Sequence, residues 1–413
     1  MTRLGGSEPD RAAWRLVALL WFCGFFNYAD RQAIFSVFPA LQAEFGLDDQ
    51  AKGMIGSAFM VVYAGMSPFA GAVVDRFSRR WLVAGGLAVW SLICVLTGTA
   101  QGFFGLLFYR AAEGLGESFY FPASMSLISA YHGPGTRSRA MSLHQTSVYA
   151  GTALGGLLAG WLGQHAGWRA PFWVLGLTGL VYAAWLPGRL AEPKPAGVAG
   201  SDHHASWRAG LVAMVRTPSA VALMAAFAAA NFVAMALLSW MPDHVHRRFG
   251  LNLTGSAAVA SLFLPTANLV GALVGGRLAD ALARRYAGGR MWVQAGGLVL
   301  GAPCVFVVGR TDWLPLAAAA LVGIGLGKGL YDANIFASLY DRVAPSVRGA
   351  AAGVMNTVGW LGASLAPWVI GSASERVGLG QAMGATAWVY LVGAGLAGLA
   401  AVLAACEARV RRS

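Results

Sequence analysis

Three ionisable residues, Arg110, Glu113 and Glu117, stand three and four residues apart inside an otherwise apolar run over 102–131. On a helix turning 100° per residue they form one narrow stripe. A bare charge costs at least about 2.5–3.5 kcal/mol at the centre of a bilayer, so such a stripe must face a protein interior or an aqueous cavity. Intramembrane acids and bases of this kind mark ion, proton or substrate pathways. A first apolar run carries Asp30-Arg31, and another, over 313–337, holds Lys328, Tyr331, Asp332 and Asn334. Enzymatic constellations are missing: there is no P-loop, and no Cys/His group has metal-ligand spacing. Gly325-Leu-Gly-Lys-Gly lies within an apolar run rather than after a strand, so it does not cradle phosphate. No enzyme activity, cofactor, metal or ATP drive is expected.

The elements that must position these residues are membrane helices. The chain is 57% hydrophobic and 12% charged, against roughly 25% charged for soluble domains. Runs long enough to cross about 30 Å of hydrocarbon recur throughout, near 14–39, 53–74, 81–100, 102–131, 139–161, 171–187, 219–241, 255–279, 291–310, 313–337, 349–371 and 382–405. The 55 glycines suit close helix approach in a bundle. A polar stretch at 188–217 divides six spans from six. The expected organisation is an N-terminal six-helix bundle (1–187), a cytoplasmic linker (188–217) and a C-terminal six-helix bundle (218–413). The net charge of +12 is not a nucleic-acid footprint, because most Lys and Arg lie in the short loops that become cytoplasmic if both termini are inside. Cys23, Cys94, Cys304 and Cys406 lie in or beside apolar runs, so no disulfide is expected, and the first run lacks a signal-peptide cleavage site.

The two halves repeat one another. Gly71-Ala-Val-Val-Asp75-Arg76-Phe-Ser-Arg79-Arg80 follows the second span, and Gly276-Arg-Leu-Ala-Asp280-Ala-Leu-Ala-Arg284-Arg285 follows the eighth. Gly114-Leu-Gly116 matches Gly325-Leu-Gly327, and in that register Arg137 falls on Arg348, Gly151 on Gly362, Gly160 on Gly371 and Glu117 on Lys328. Lys328 could then attract a carboxylate across the cavity while Tyr331 and Asn334 bond hydroxyls. It could equally pair with Asp332 one turn on.

The Gly-x-x-x-Asp-Arg-x-x-Arg-Arg loop resembles the signature loop of the major facilitator superfamily. There the Asp can cap a neighbouring helix and pair with an Arg across the boundary between halves, as a latch; topogenic charge is the plainer alternative. Arg110-Ala-Ala-Glu113-Gly-Leu-Gly-Glu117-Ser-Phe-Tyr-Phe-Pro122, Asn27-Tyr28-Ala-Asp30-Arg31-Gln32 and Trp168-Arg169 are similar to segments of the anion:cation symporters and of the Spinster-like transporters. The resemblance implies an all-α membrane protein with twelve transmembrane helices in two pseudo-symmetric bundles. It implies Asp30 and Glu117, and less directly Glu113, as proton-carrying acids. Arg31 and Arg110 would tune them or meet an anionic substrate. The plainer alternative is a static network, Asp30 with Arg110 and Glu113 with Arg31, joining helices one and four.

Asn27, Tyr28, Gln145, Thr146, Asn231, Asn268 and Asn356 are further polar residues that could touch substrate or bond between helices; His144 sits near the start of span five. Gly151, Gly155, Gly156 and Gly160, with Gly359, Gly362, Pro367 and Gly371, suit tightly packed helices, whether rocking or static. The resulting expectation is a monomeric inner-membrane transporter, multi-pass with both termini cytoplasmic, whose partners are protons, lipid and a small organic anion. A Spinster-like exporter of an amphipathic molecule lined by Tyr28, Phe119, Tyr120, Trp240 and Trp360 is the rival. A sensor would need a soluble output domain or long tail.

Overall fold

In a computed structural model the described residues are 11–133, 135–190 and 207–410, the side chains at 68, 71, 72, 75, 138, 207 and 410 excepted. They form helices α1 (Arg11–Ser36), α2 (Phe38–Phe45), α3 (Asp49–Arg76), α4 (Arg79–Thr97), α5 (Phe103–Glu117), α6 (Tyr120–Tyr131), α7 (Arg137–Ala166) and α8 (Ala170–Trp185). After the linker come α9 (Trp207–Val215), α10 (Pro218–Phe249), α11 (Leu253–Ala283), α12 (Gly289–Val308), α13 (Leu314–Asp332), α14 (Ile335–Tyr340), α15 (Arg348–Val377) and α16 (Leu379–Val410). The pairs α1–α2, α5–α6 and α13–α14 each continue one rod, so the chain makes twelve crossings in two six-helix bundles. Among the described residues, eight stretches are long and apolar enough to span a membrane by length and composition alone. The remaining rods are interrupted, as at Ser118, or carry charge and many small polar residues, as α3, α7 and α15 do.

The linker is not wholly irregular. A 3-10 turn (Leu186–Gly188) ends the first bundle, and α9 stands within the stretch read as loop. A Cβ at Gly210 of α9 would come within 2.5 Å of the Ala350 backbone, so α9 is pinned to the start of α15.

The repeat is geometric as well as sequential. A Cβ on Gly114 would meet Phe59 O at 2.3 Å, and one on Gly325 would meet Leu264 O at 2.4 Å. The halves touch along two seams, α3 with α15 and α7 with α11. At one seam a Cβ on Gly371 would lie 2.2 Å from Asp49 O; at the other, one on Gly160 would lie 2.5 Å from the Ala257 Cβ. Only a residue without a side chain permits backbones this close. Gly151 and Gly155 meet α1 by the same device. Trp368 adds a bond across the seam, its N–H donating to Ser57 Oγ at 3.1 Å, while within the second bundle the Pro367 carbonyl accepts from Trp240 Nε1 at 3.0 Å.

Candidate functional site

Helix α1 brings Asp30 and Arg31, and α5 brings Arg110, Glu113 and Glu117, into one buried group; none of the five exceeds 6% exposure. The pairing differs from the static network weighed from sequence. Arg31 Nε donates to Glu117 Oε2, and Arg110 Nη1 donates to Glu113 Oε2 one turn away. Asp30 is the one acid of the three with no arginine at ion-pair distance among the described residues; its Oδ1 accepts from the Arg31 backbone N–H at 2.7 Å. Each arginine gives its acid a single nitrogen. Arg31 Nη1, Arg110 Nε and Nη2, and Glu117 Oε1 stay buried with no partner among the described residues. Helix α5 ends at Glu117, and the backbone turns at Ser118–Phe119 before α6 resumes.

Aromatic rings enclose the guanidiniums. The Arg31 carbon lies 4.6 Å from the Tyr28 ring centre, 4.8 Å from Phe59, 4.7 Å from Tyr63 and 6.0 Å from Trp360. Phe59 also faces Arg110 at 4.9 Å, so one ring serves both cations. Trp360 stands on α15 in the second bundle and packs edge-on against Tyr63 at 5.4 Å, which places Arg31 at the boundary between halves. The Cys94 thiol joins Asp30 and Glu113, the three ligand atoms lying within 4.8 Å of one another, a grouping the sequence spacing did not reveal. Arg110 on Glu113 puts a fixed positive charge beside that group, which opposes a metal cation there.

The second bundle contributes less than expected. Lys328 pairs with Asp332, whose other oxygen accepts from Asn268 Nδ2 at 3.3 Å, so this cation is neutralised on its own helix. Tyr331 is fully buried against the packed core, its hydroxyl without a partner among the described residues. Asn334 donates to Gly275 O at 3.2 Å and Leu330 O at 3.0 Å, stapling α13 to α11 beyond the break that follows Asp332. Asn231 donates to Phe227 O on its own helix at 2.9 Å. Thr146 is exposed and accepts from Trp21 Nε1 at 2.9 Å. His144 is buried against the Tyr120 hydroxyl at 2.9 Å. Gln145 and Tyr28 are half-buried, Asn27 is buried with Nδ2 unpartnered among the described residues, and Asn356 is exposed.

In the repeated loop motif Asp280 pairs with Arg290 at 2.8 Å, and Arg290 reaches Asp341 at 3.2 Å; all three belong to the second bundle, so in this conformation Asp280 bonds within its own half. Arg284 and Arg285 are exposed, as is Arg76, while Arg79 and Arg80 are half-buried. The side chains of Gly71 and Asp75 lie outside the described residues.

The bond network between halves stands at the opposite end of the bundle, among residues the sequence reading passed over. Lys52 of α3, with no side-chain exposure, donates to Asp243 of α10 at 2.7 Å and pairs with Asp49 at 2.8 Å. Arg247 donates to Asp243 at 2.9 and 2.8 Å, to Asp49 at 3.0 and 2.5 Å, and to Gln42 at 2.8 Å. Ser374 donates to Asp49 Oδ2 at 2.7 Å, and the Asp49 N–H donates to Glu375 at 2.8 Å. Burial pushes the Asp49 carboxyl up, but hydrogen bonds from Arg247, Lys52 and Ser374 outweigh it and hold the group at about 2. The spacing of Asp49 with Lys52 and of Asp243 with Arg247 was visible, but α10 runs eight residues past the span edge placed at 241, which hid the second pair. Near the same end Trp168 and Arg169 dock on Glu44 at 2.6 and 2.7 Å.

Comparison with known proteins gives a consistent result. The profile of the Major Facilitator Superfamily matches residues 20–367. Human "Protein spinster homolog 1" is 31% identical over 60% of this chain and 48% of its own length. Thus the chain spans about half of that relative. The "Probable galactarate/D-glucarate transporter GudP" of Bacillus subtilis is 26% identical over 88% of this chain and 86% of its own. A crystal structure of a bacterial homologue of the human lysosomal transporter Spinster, inward-facing and unoccupied, superposes with a TM-score of 0.85 at 22% identity, covering 96% of this chain and 98% of that one.

Proposed function

The chain belongs to the Major Facilitator Superfamily and is a multi-pass membrane transporter; from that premise we propose that it moves a small organic anion with protons by alternating access. The carrying observation is the charge balance of the buried group. Asp30, Glu113 and Glu117 are three negatives against Arg31 and Arg110, and the Lys328–Asp332 pair adds nothing net. Fully deprotonated, the group is net −1 and repels an anion; one proton neutralises it, and a second makes it receptive. Proton and anion then assist each other's binding, and linkage makes the assistance mutual. Asp30, unpaired, is the first acceptor, and Glu117 follows when substrate draws Arg31 away. The unpartnered nitrogens of Arg31 and Arg110 are the donors offered to the anion. The bacillary relative, whose name specifies two sugar acids, suits this class.

The Lys and Arg distribution supports cytoplasmic termini in an inner-membrane protein, which we take to work as a monomer. The Lys52–Asp243 clasp then lies on the outer face and holds it closed. A second reading, export of an amphipathic molecule, is favoured by the four rings around Arg31 and by the spinster relative. Proteoliposomes with an internal pH-sensitive dye, challenged with sugar acids and short carboxylates, separate the two. Substrate-triggered acidification lost in Asp30→Asn or Glu117→Gln supports anion symport. Silence across the panel, with folded protein, shifts the assignment to the amphipathic exporter.

A further inference from the structure

Arg285, from the repeated loop motif, has no part in the buried charge group or the clasp. It lines a groove of about 740 Å³ formed by the end of α11, the start of α12 and the end of α16. This is the end of the bundle that carries both termini. Arg409 stands on the other wall, and Leu282, Trp292 and Val402 supply apolar surface between them. Among the described residues, no acidic side chain lines the groove. The two nearest acids in sequence are engaged elsewhere: Asp280 holds Arg290 at 2.8 Å, and Glu407 turns to Ser219, accepting from its N–H at 3.0 Å and its hydroxyl at 2.7 Å. A groove with two cations, no counter-acid among the described residues and an exposed Trp and Tyr has the composition of the zone where headgroups meet acyl chains.

We infer that this groove seats one anionic phospholipid, its phosphate between Arg285 and Arg409 and its acyl chains over Leu282, Trp292 and Val402. A free phosphate fits less well, because it leaves the apolar wall uncovered while a lipid covers both. The wall exists because Gly288, in a left-handed conformation at φ 82°, lets the α11–α12 turn approach α16: a Cβ there would lie 2.6 Å from Ala401 O. The inference is independent of the transported substrate.

The test is native mass spectrometry of the full chain, purified in mild detergent and offered equal phosphatidylglycerol and phosphatidylcholine. The wild-type protein should retain one phosphatidylglycerol in preference. Arg285→Gln/Arg409→Gln should bind it about thirtyfold more weakly, from roughly fivefold per cation near the surface. Arg285→Lys/Arg409→Lys, which keeps the charge, should retain most of the affinity, and a monodisperse elution profile for all three checks folding. Equal retention of both lipids by the wild type, or undiminished phosphatidylglycerol in the Gln pair, overturns the assignment. Displacement of the lipid by millimolar inorganic phosphate does so too, since it would mark an anion site without a lipid seat.

Discussion

Asp243 bridges two cations in the clasp, and replacing it with asparagine changes charge while keeping shape. Its oxygens accept from Lys52 at 2.7 Å and from Arg247 at 2.9 and 2.8 Å. In Asp243→Asn, Lys52 keeps Asp49 at 2.8 Å and Gln42 at 2.8 Å, but both cations must then share Asp49. Removing one partner of a buried ion pair costs about 3–5 kcal/mol. The remaining acceptors and the 34% exposure of Arg247 reduce this to about 2–3 kcal/mol. Opening this end hydrates the same groups and relieves that cost, so the closed-to-open ratio should fall about thirty- to hundredfold. Hydrogen–deuterium exchange reads the change directly. Amides over 42–56 and 240–252 should exchange faster by that factor, while the core of each bundle keeps its protection. Unchanged exchange in those two segments would refute the clasp as the element holding this end shut, and a uniform rise throughout would mean general destabilisation instead.

The clasp should also hold across ordinary pH. Asp49 is depressed to about 2 in the closed form, so its contribution is complete above the usual carboxylate range near 4 and lost only as pH falls toward 2. Exchange at 42–56 should therefore be flat from pH 5 to 8 after correction for intrinsic rates. Gly371→Ala forces a Cβ to within 2.2 Å of Asp49 O; overpacking of about 1–3 kcal/mol should open the same end, with the same exchange readout. Asn334→Ala removes the bond to Gly275 and should lower thermal stability by about 0.6–2 kcal/mol, read as a shift in the unfolding midpoint. Asp30→Asn should flatten the pH dependence of anion binding between 5 and 8; a steep dependence surviving in that variant would assign the proton to another acid.

Much of the architecture was legible because it follows from one-dimensional requirements. Apolar runs long enough to cross hydrocarbon must be helices, since no water satisfies their backbone groups. The match of Gly114 and Gly116 to Gly325 and Gly327 revealed the repeat, and the stripe of Arg110, Glu113 and Glu117 had to turn inward to avoid lipid. These are properties of single segments, and periodicity and composition determine them.

What the sequence could not decide depends on which segments meet. Arg31 pairs with Glu117 rather than Glu113 because α1 and α5 pack in one register among several that the stripe allowed. Tyr331 and Asn334 carry polar atoms at plausible spacing, yet α13 holds Tyr331 against the core, and Asn334, beyond the end of that helix, bonds to α11. The repeated Asp280 stays within its own bundle, while the bonds joining the bundles come from Lys52 and Asp243, 191 residues apart. A charge at a helix end has no sequence mark telling whether it meets water or a partner. Only the packing of the two halves supplies that, because an ion pair exists where two backbones bring its members within about 4 Å and exclude the water between them.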